Sequence, residues 1–199
     1  MVKGFPLIEK PDNQCEVCIL RKQHRESFPI GKSIRAKTPL EIIHSYSCGP
    51  MQTPSFGGRH YILTFIYDYT RKTRDYFLKQ KSELFDRFYH YKVLVEKKSG
   101  HYIKVLRTEK GGEYISSDFL HFCREHGIHK QFTTRYTPQQ NGVTERKNRT
   151  IMEMTRSMLK AKNFPNDYCA EVDACATYII NRYPTKFFRT QFLKKHGVE

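Results

Sequence analysis

The sequence predicts an α/β domain: a mixed five-stranded sheet flanked by helices, its elements running βββαβαβαα. Three observations carry that expectation. Short β-favouring runs separated by turn signals come first, the hydrophobic period then switches to that of a helix, and strands and helices alternate from there. A chain of 199 residues with 38% hydrophobic and 14% aromatic residues can also bury one medium-sized core without disulfide staples.

Residues 1–38 are rich in Pro, Lys and Arg, show no sustained period, and read as an arm or linker. The core is expected over 39–185. Leu40–Tyr46 forms a first strand, stopped by the turn Cys48-Gly49-Pro50. Tyr61–Tyr67 is a dense apolar second strand, and Arg74–Leu78 pairs antiparallel with it across Tyr69–Lys72. Between 82 and 98, Leu84, Phe85, Phe88, Tyr91, Leu94 and Val95 mark one face of a helix capped by Ser82 and stopped at Gly100. Tyr102–Arg107 is a fourth strand. Ser117 caps a helix that buries Phe119, Leu120, Phe122 and Cys123 and ends at Gly127. Ile128–Phe132 supplies the fifth strand. Residues 133–142 hold Pro138, two Gln and Asn141-Gly142 without a period, so they form a loop. A long helix follows with Ile151, Met154 and Met158 on its inner face, then a last helix over 165–181; residues 186–199 make a divergent tail.

No apolar run approaches the ~18 residues of a membrane span, and the first residues, MVKGFPLIEKPD, do not read as a signal peptide, so an intracellular protein is expected. The net charge of +15 divides into +4 over 1–40, +6 over 41–140 and +5 over 141–199. Spread so evenly, it points to a polyanionic partner, with nucleic acid first. Of the six cysteines only Cys15 and Cys18 have a ligand-like spacing; the others read as reduced small hydrophobes.

Two carboxylates stand out by position. Glu109 follows a hydrophobic strand at the start of a Gly-Gly turn, and the ends of strands are where open α/β sheets place ligands. Glu145 lies in the first turn of the long helix, where compensation of the helix dipole would equally account for it.

The words around them are specific. LRTEKGGEY (106–114), YTPQQNGVTERKNRT (136–150), IIHSYSCGPM (42–51), KSELFDRF (81–88) and CEVCILRKQHRESFP (15–29) resemble the integrase core of copia-type retrotransposons, a likeness running from about Gly4 to about Lys186. The resemblance implies a ribonuclease H-like core that joins DNA strands with Mg²⁺ or Mn²⁺ held by Asp, Asp and Glu. It also implies nuclear work, a homodimer formed through the core, and a gap of 35 residues before the Glu. The gap from Glu109 to Glu145 is 35 residues. Such chemistry displaces at phosphorus in line, with two cations on the attacking and leaving oxygens and hard carboxylate ligands around them.

This chain departs from that pattern at two of its three positions. Tyr46 stands where the resemblance puts the bridging Asp, and Glu109 stands at the second Asp; Glu145 alone is unchanged. A phenol with a pKa of about 10 is neutral at pH 7 and cannot supply the missing charge. The metal ligands left, Glu109 and Glu145, imply weakened or absent Mg²⁺ binding and an inactive copy. Asp68 and Glu113 are the candidates to rescue the site, which would instead leave an active metal-dependent strand transferase or nuclease; a non-enzymatic dimerisation module is the third alternative. Arg74 and Cys169 stand where the family usually has Trp, which suggests a marginally stable fold.

Cys15 and Cys18 match half of the family's His-His-Cys-Cys zinc module, with His24 a stray possible ligand, so zinc is not expected at a complete site. For non-specific, salt-dependent contact with DNA the candidates are Gln139, Gln140 and Asn141 in the loop and Arg146, Lys147 and Arg149 on the helix.

Overall fold

The computed structural model describes residues 35–133 and 142–182. Five strands, β1 (Ile42–Cys48), β2 (Tyr61–Tyr67), β3 (Thr73–Leu78), β4 (Val105–Thr108) and β5 (His129–Phe132), form one sheet in the order β3-β2-β1-β4-β5. The pairs β1/β2 and β2/β3 are antiparallel, while β1/β4 and β4/β5 are parallel. Four helices complete the expected order: α1 (Leu84–Ser99), α2 (Ser117–Glu125), α3 (Gly142–Ala161) and α4 (Cys169–Arg182).

Strand alternation gives the two faces of this sheet different chemistry. Ile43, Leu63, Phe65, Leu78 and Leu106 pack with Phe88 and Tyr91 of α1 and Phe119, Phe122 and Cys123 of α2 into the apolar core. Phe65 stacks on Tyr91 with ring centroids 4.4 Å apart, and Phe88 meets Phe119 at 5.2 Å. The residues between them in sequence point the other way. His44, Tyr46, Thr64, Thr73 and Asp75 line the face under α3 and α4, where burial is maintained by hydrogen bonds. Thr64 Oγ1 donates to Asp75 Oδ1 at 2.5 Å, and Thr177 of α4 donates to the other oxygen of that carboxylate. Asn181 exchanges two hydrogen bonds with the Thr73 backbone, at 2.7 and 2.8 Å, pinning α4 to β3.

Several local expectations shift. Ser82 lies inside a 3-10 turn, Lys81–Glu83, and the capping group is Glu83, whose Oε1 accepts the backbone N–H of Lys79 and Gln80 at 2.9 Å each. Ser116, not Ser117, is the N-cap of α2. The fourth strand starts at Val105 because the chain before it answers to α1, with Ile103 N–H donating to Glu96 Oε1 at 2.9 Å. Leu94 falls off the inner face of α1 and is 43% exposed. On α3 the buried stripe is Thr144, Ile151, Thr155 and Leu159; Met154 and Met158 flank it half-buried. Arg74 lies in edge strand β3, as expected of a sheet position, with its side chain exposed to solvent, and Cys169 is half-buried at the start of α4.

Gly49 ends β1 at φ +133°, and a Cβ on it would lie 2.6 Å from His60 O, so only glycine makes this turn. No helix of the described residues is long and apolar enough to cross a membrane.

Candidate functional site

Tyr46 lies on the polar face of β1, opposite Thr64 across the antiparallel pair. Ser45 pairs with Thr108 across the parallel β1/β4 ladder, so Tyr46 and Glu109 each lie one residue past the last matched pair, side by side. Continuing the alternation puts position 109 on the same face as His44, Tyr46 and Arg107. Helix α3 crosses that face: Tyr46 Oη donates to Asn148 Oδ1 at 3.1 Å. Glu145, exposed, precedes Asn148 by three residues and so shares its side of the helix. The backbone thus brings Tyr46 and position 109 to the carboxyl ends of two neighbouring parallel strands, with α3 touching Tyr46 through Asn148.

The chemistry at position 46 is that of a buried neutral phenol. Burial, reinforced by Asp75 and Asp173, holds the Tyr46 hydroxyl well above its ordinary pKa. It donates a hydrogen bond to an amide oxygen and offers no negative oxygen to a cation. Among the described residues no group of three or more His, Cys, Asp or Glu is arranged to hold a metal ion. The residues present do not fit the paired cations that the resemblance implies. Replacing Tyr46 by Phe keeps the volume and removes the bond to α3; unfolding by urea should then show a loss of about 1 kcal/mol, whereas an unchanged midpoint would mean that the bond contributes nothing.

The two candidate rescuers are engaged elsewhere. Asp68 Oδ1 accepts from His44 Nε2 and Arg71 Nη1, both at 2.9 Å, and Oδ2 accepts from Ala36 N at 2.8 Å. Burial opposes its ionisation, but these partners overcome it and hold the carboxyl below its usual range. His44, whose pKa burial lowers, donates through Nε2, leaving Nδ1 buried without a hydrogen-bond partner. Glu113 sits on the opposite face of the sheet from Tyr46. It accepts from Ser47 Oγ at 2.5 Å, beside the Ser45–Tyr114 hydroxyl pair at 2.6 Å.

A basic cluster adjoins the polar face. Burial, aided by Arg35 and Arg146, lowers Arg71 despite Asp68; burial and then Arg71 lower Lys147. Burial likewise lowers Arg107, whose guanidinium donates twice to Gln131 Oε1 at 3.1 and 2.9 Å. Arg146 and Arg149 are exposed on α3 and Lys147 is half-buried. Gln139, Gln140 and Asn141 lie outside the described residues, as do Cys15, Cys18, His24 and the tail 186–199. Sequence reasoning missed Asn148, Arg71, Arg107 and the pair Asp75 and Asp173; only Asn148, three residues from Glu145 on a helix, carried a readable signal.

No protein-family profile matches the chain. It is 44% identical over 171 residues to the retrovirus-related Pol polyprotein from transposon TNT 1-94 of Nicotiana tabacum, matching 86% of this chain and 13% of that one. It is 34% identical over 180 residues to the retrovirus-related Pol polyprotein from transposon RE2 of Arabidopsis thaliana, matching 89% and 12%. The chain therefore spans about an eighth of the length of these relatives. Among solved structures, a simian T-cell lymphotropic virus intasome in complex with a PP2A regulatory subunit superposes with TM-score 0.62 at 19% identity, over 86% of this chain and 58% of that one. The HTLV-2 integrase catalytic core domain in complex with magnesium, in a dimeric form, gives 0.53 at 16%, over 75% and 92%. Sequence kinship to plant retrotransposon polyproteins along most of the chain, carried on the fold of retroviral integrase cores, makes this chain a member of the copia-type integrase cores.

Proposed function

We propose that this integrase core binds nucleic acid without performing strand transfer, as a homodimer whose working compartment is the nucleus. The observation that carries the reading is Tyr46: a buried phenol hydrogen-bonded to Asn148 stands where cation chemistry needs a carboxylate. Binding itself needs no metal. Arg146 and Arg149, exposed on α3 with the half-buried Lys147 between them in sequence, supply positive charge, and basic side chains neutralise phosphates without reading sequence.

Fluorescence anisotropy with a labelled duplex tests the binding half. The binding constant should fall steeply with salt, and Arg146→Ala with Arg149→Ala should lower the slope of log K against log salt by about 2, roughly 1 for each phosphate no longer neutralised. A salt-independent constant rejects the reading. For the catalytic half, the wild-type chain should leave labelled oligonucleotides intact with Mg²⁺ or Mn²⁺; nicking above a protein-free control would establish the active alternative.

A further inference from the structure

Three aromatic side chains crowd together where the loop after β1 meets the turn before α4. Phe56 meets Tyr168 edge to face, with ring centroids 4.9 Å apart, and Phe164 stacks on Tyr168 at 5.3 Å. All three stay open to solvent: Phe56 is 66% exposed, Phe164 48% and Tyr168 39%. Glu171, in the first turn of α4, ties the loop to the helix, its Oε1 accepting the Phe56 N–H at 3.1 Å. The other oxygen of that carboxylate, Oε2, is buried and has no hydrogen-bond partner among the described residues. A carboxylate oxygen taken out of water without a donor costs more free energy than a neutral acceptor does. Open rings and an unanswered anionic oxygen occur here together, one turn of chain apart.

The occupant follows from that pairing. Aromatic faces attract a weakly hydrated cation, and Oε2 needs one N–H. A phosphate backbone is repelled by that oxygen and by Asp167, exposed beside Tyr168. A guanidinium brings five N–H donors and a bare ammonium three, of which a single free oxygen satisfies one. A dimethylammonium brings one N–H for Oε2 and two methyl groups for the rings. We propose that Phe56, Phe164, Tyr168 and Glu171 receive the methylated ammonium of a lysine side chain on a partner peptide, the dimethyl form before all others. This surface is separate from the basic residues of α3 that the DNA-binding reading uses.

Fluorescence anisotropy on the full chain, with a labelled Gly/Ser peptide carrying one dimethyl-lysine, tests it. The wild type should hold this peptide about tenfold more tightly than the same peptide with unmethylated lysine, which keeps its hydration, or trimethyl-lysine, which has no N–H. Glu171→Gln keeps the acceptor for Phe56, and Phe56→Ala removes a ring that is mostly in water; each should weaken binding by roughly tenfold or more while duplex DNA binds as to the wild type. Equal affinity for the three peptides, or for wild type and both variants, overturns the proposal. A Glu171→Gln variant that melts well below the wild type, with no peptide bound by either, would show that a group of this chain already answers Oε2, and overturns it too. So would a labelled single-stranded oligonucleotide that binds the wild type and is lost from Phe56→Ala while the peptide binds neither, since the rings would then stack on bases.

Discussion

The double variant Tyr46→Asp with Glu109→Asp is expected to nick labelled DNA in the presence of Mg²⁺ or Mn²⁺, where the wild-type chain does not. At position 109 the change shortens the side chain by one methylene, and a displacement near 1 Å can be worth ~10² in rate. At position 46 the change is of kind: a neutral phenol that donates to Asn148 becomes a carboxylate level with position 109 across the parallel pair. Three carboxylates then stand where two stood, and the second effect should exceed the first. The substitution also has a cost that the structure makes visible. Tyr46 already feels Asp75 and Asp173, so an aspartate there adds a third acid to a buried neighbourhood and gives up the anchor to α3. The variant should therefore melt lower than the wild type without metal and recover on adding Mg²⁺, whose binding to the folded state alone raises apparent stability. A variant that is folded by circular dichroism, indifferent to Mg²⁺ in its melting and silent with both cations would show that these positions do not form the site.

What the sequence disclosed and what it withheld separate along the two faces of the sheet. The apolar face was legible because its signals are periodic: Leu63 and Phe65 on β2, and Leu84, Phe88 and Tyr91 on α1, recur at strand and helix spacing. The kinship was legible because LRTEKGGEY and YTPQQNGVTERKNRT are long words. The polar face was not, since its order comes from contacts between residues far apart in the chain. Tyr46 meets Asn148 across 102 residues, and Asp75 meets Thr177 across the same separation. No spacing rule links them. Asp68 shows the limit from the other side: adjacency in sequence made it a rescuer, but His44 and Arg71 had already taken one of its oxygens and the Ala36 N–H the other. The buried stripe of α3 was misread as Met154 and Met158 because a helix packed on a polar face buries Thr144 and Thr155 instead.

That polar face makes the domain sensitive to pH, and Asp173→Asn is expected to reduce the sensitivity. Asp173 is only 3% exposed, at the contact between α4 and α3, where Thr155 Oγ1 donates to its Oδ1 at 3.4 Å. Burial, aided by the neighbouring Asp75, pushes its pKa up to about 7. Its partner is pushed the same way by burial, against the Thr177 and Thr64 hydroxyls and the Lys147 charge that hold it back. An unfolded aspartate titrates near 3.9. Between about 4 and 7 the folded chain thus binds the extra proton, and stability falls as pH rises through that window. Three pKa units correspond to roughly 4 kcal/mol, an upper figure reached only above pH 7. Asparagine keeps the shape and an oxygen for Thr155 and cannot ionise. Urea midpoints should coincide for wild type and variant near pH 4 and diverge above it, with the variant the more stable by up to a few kcal/mol at pH 8. Parallel stability curves from pH 4 to pH 8 would mean that Asp173 ionises as freely in the fold as out of it, and that α4 rests on α3 without a proton held between them.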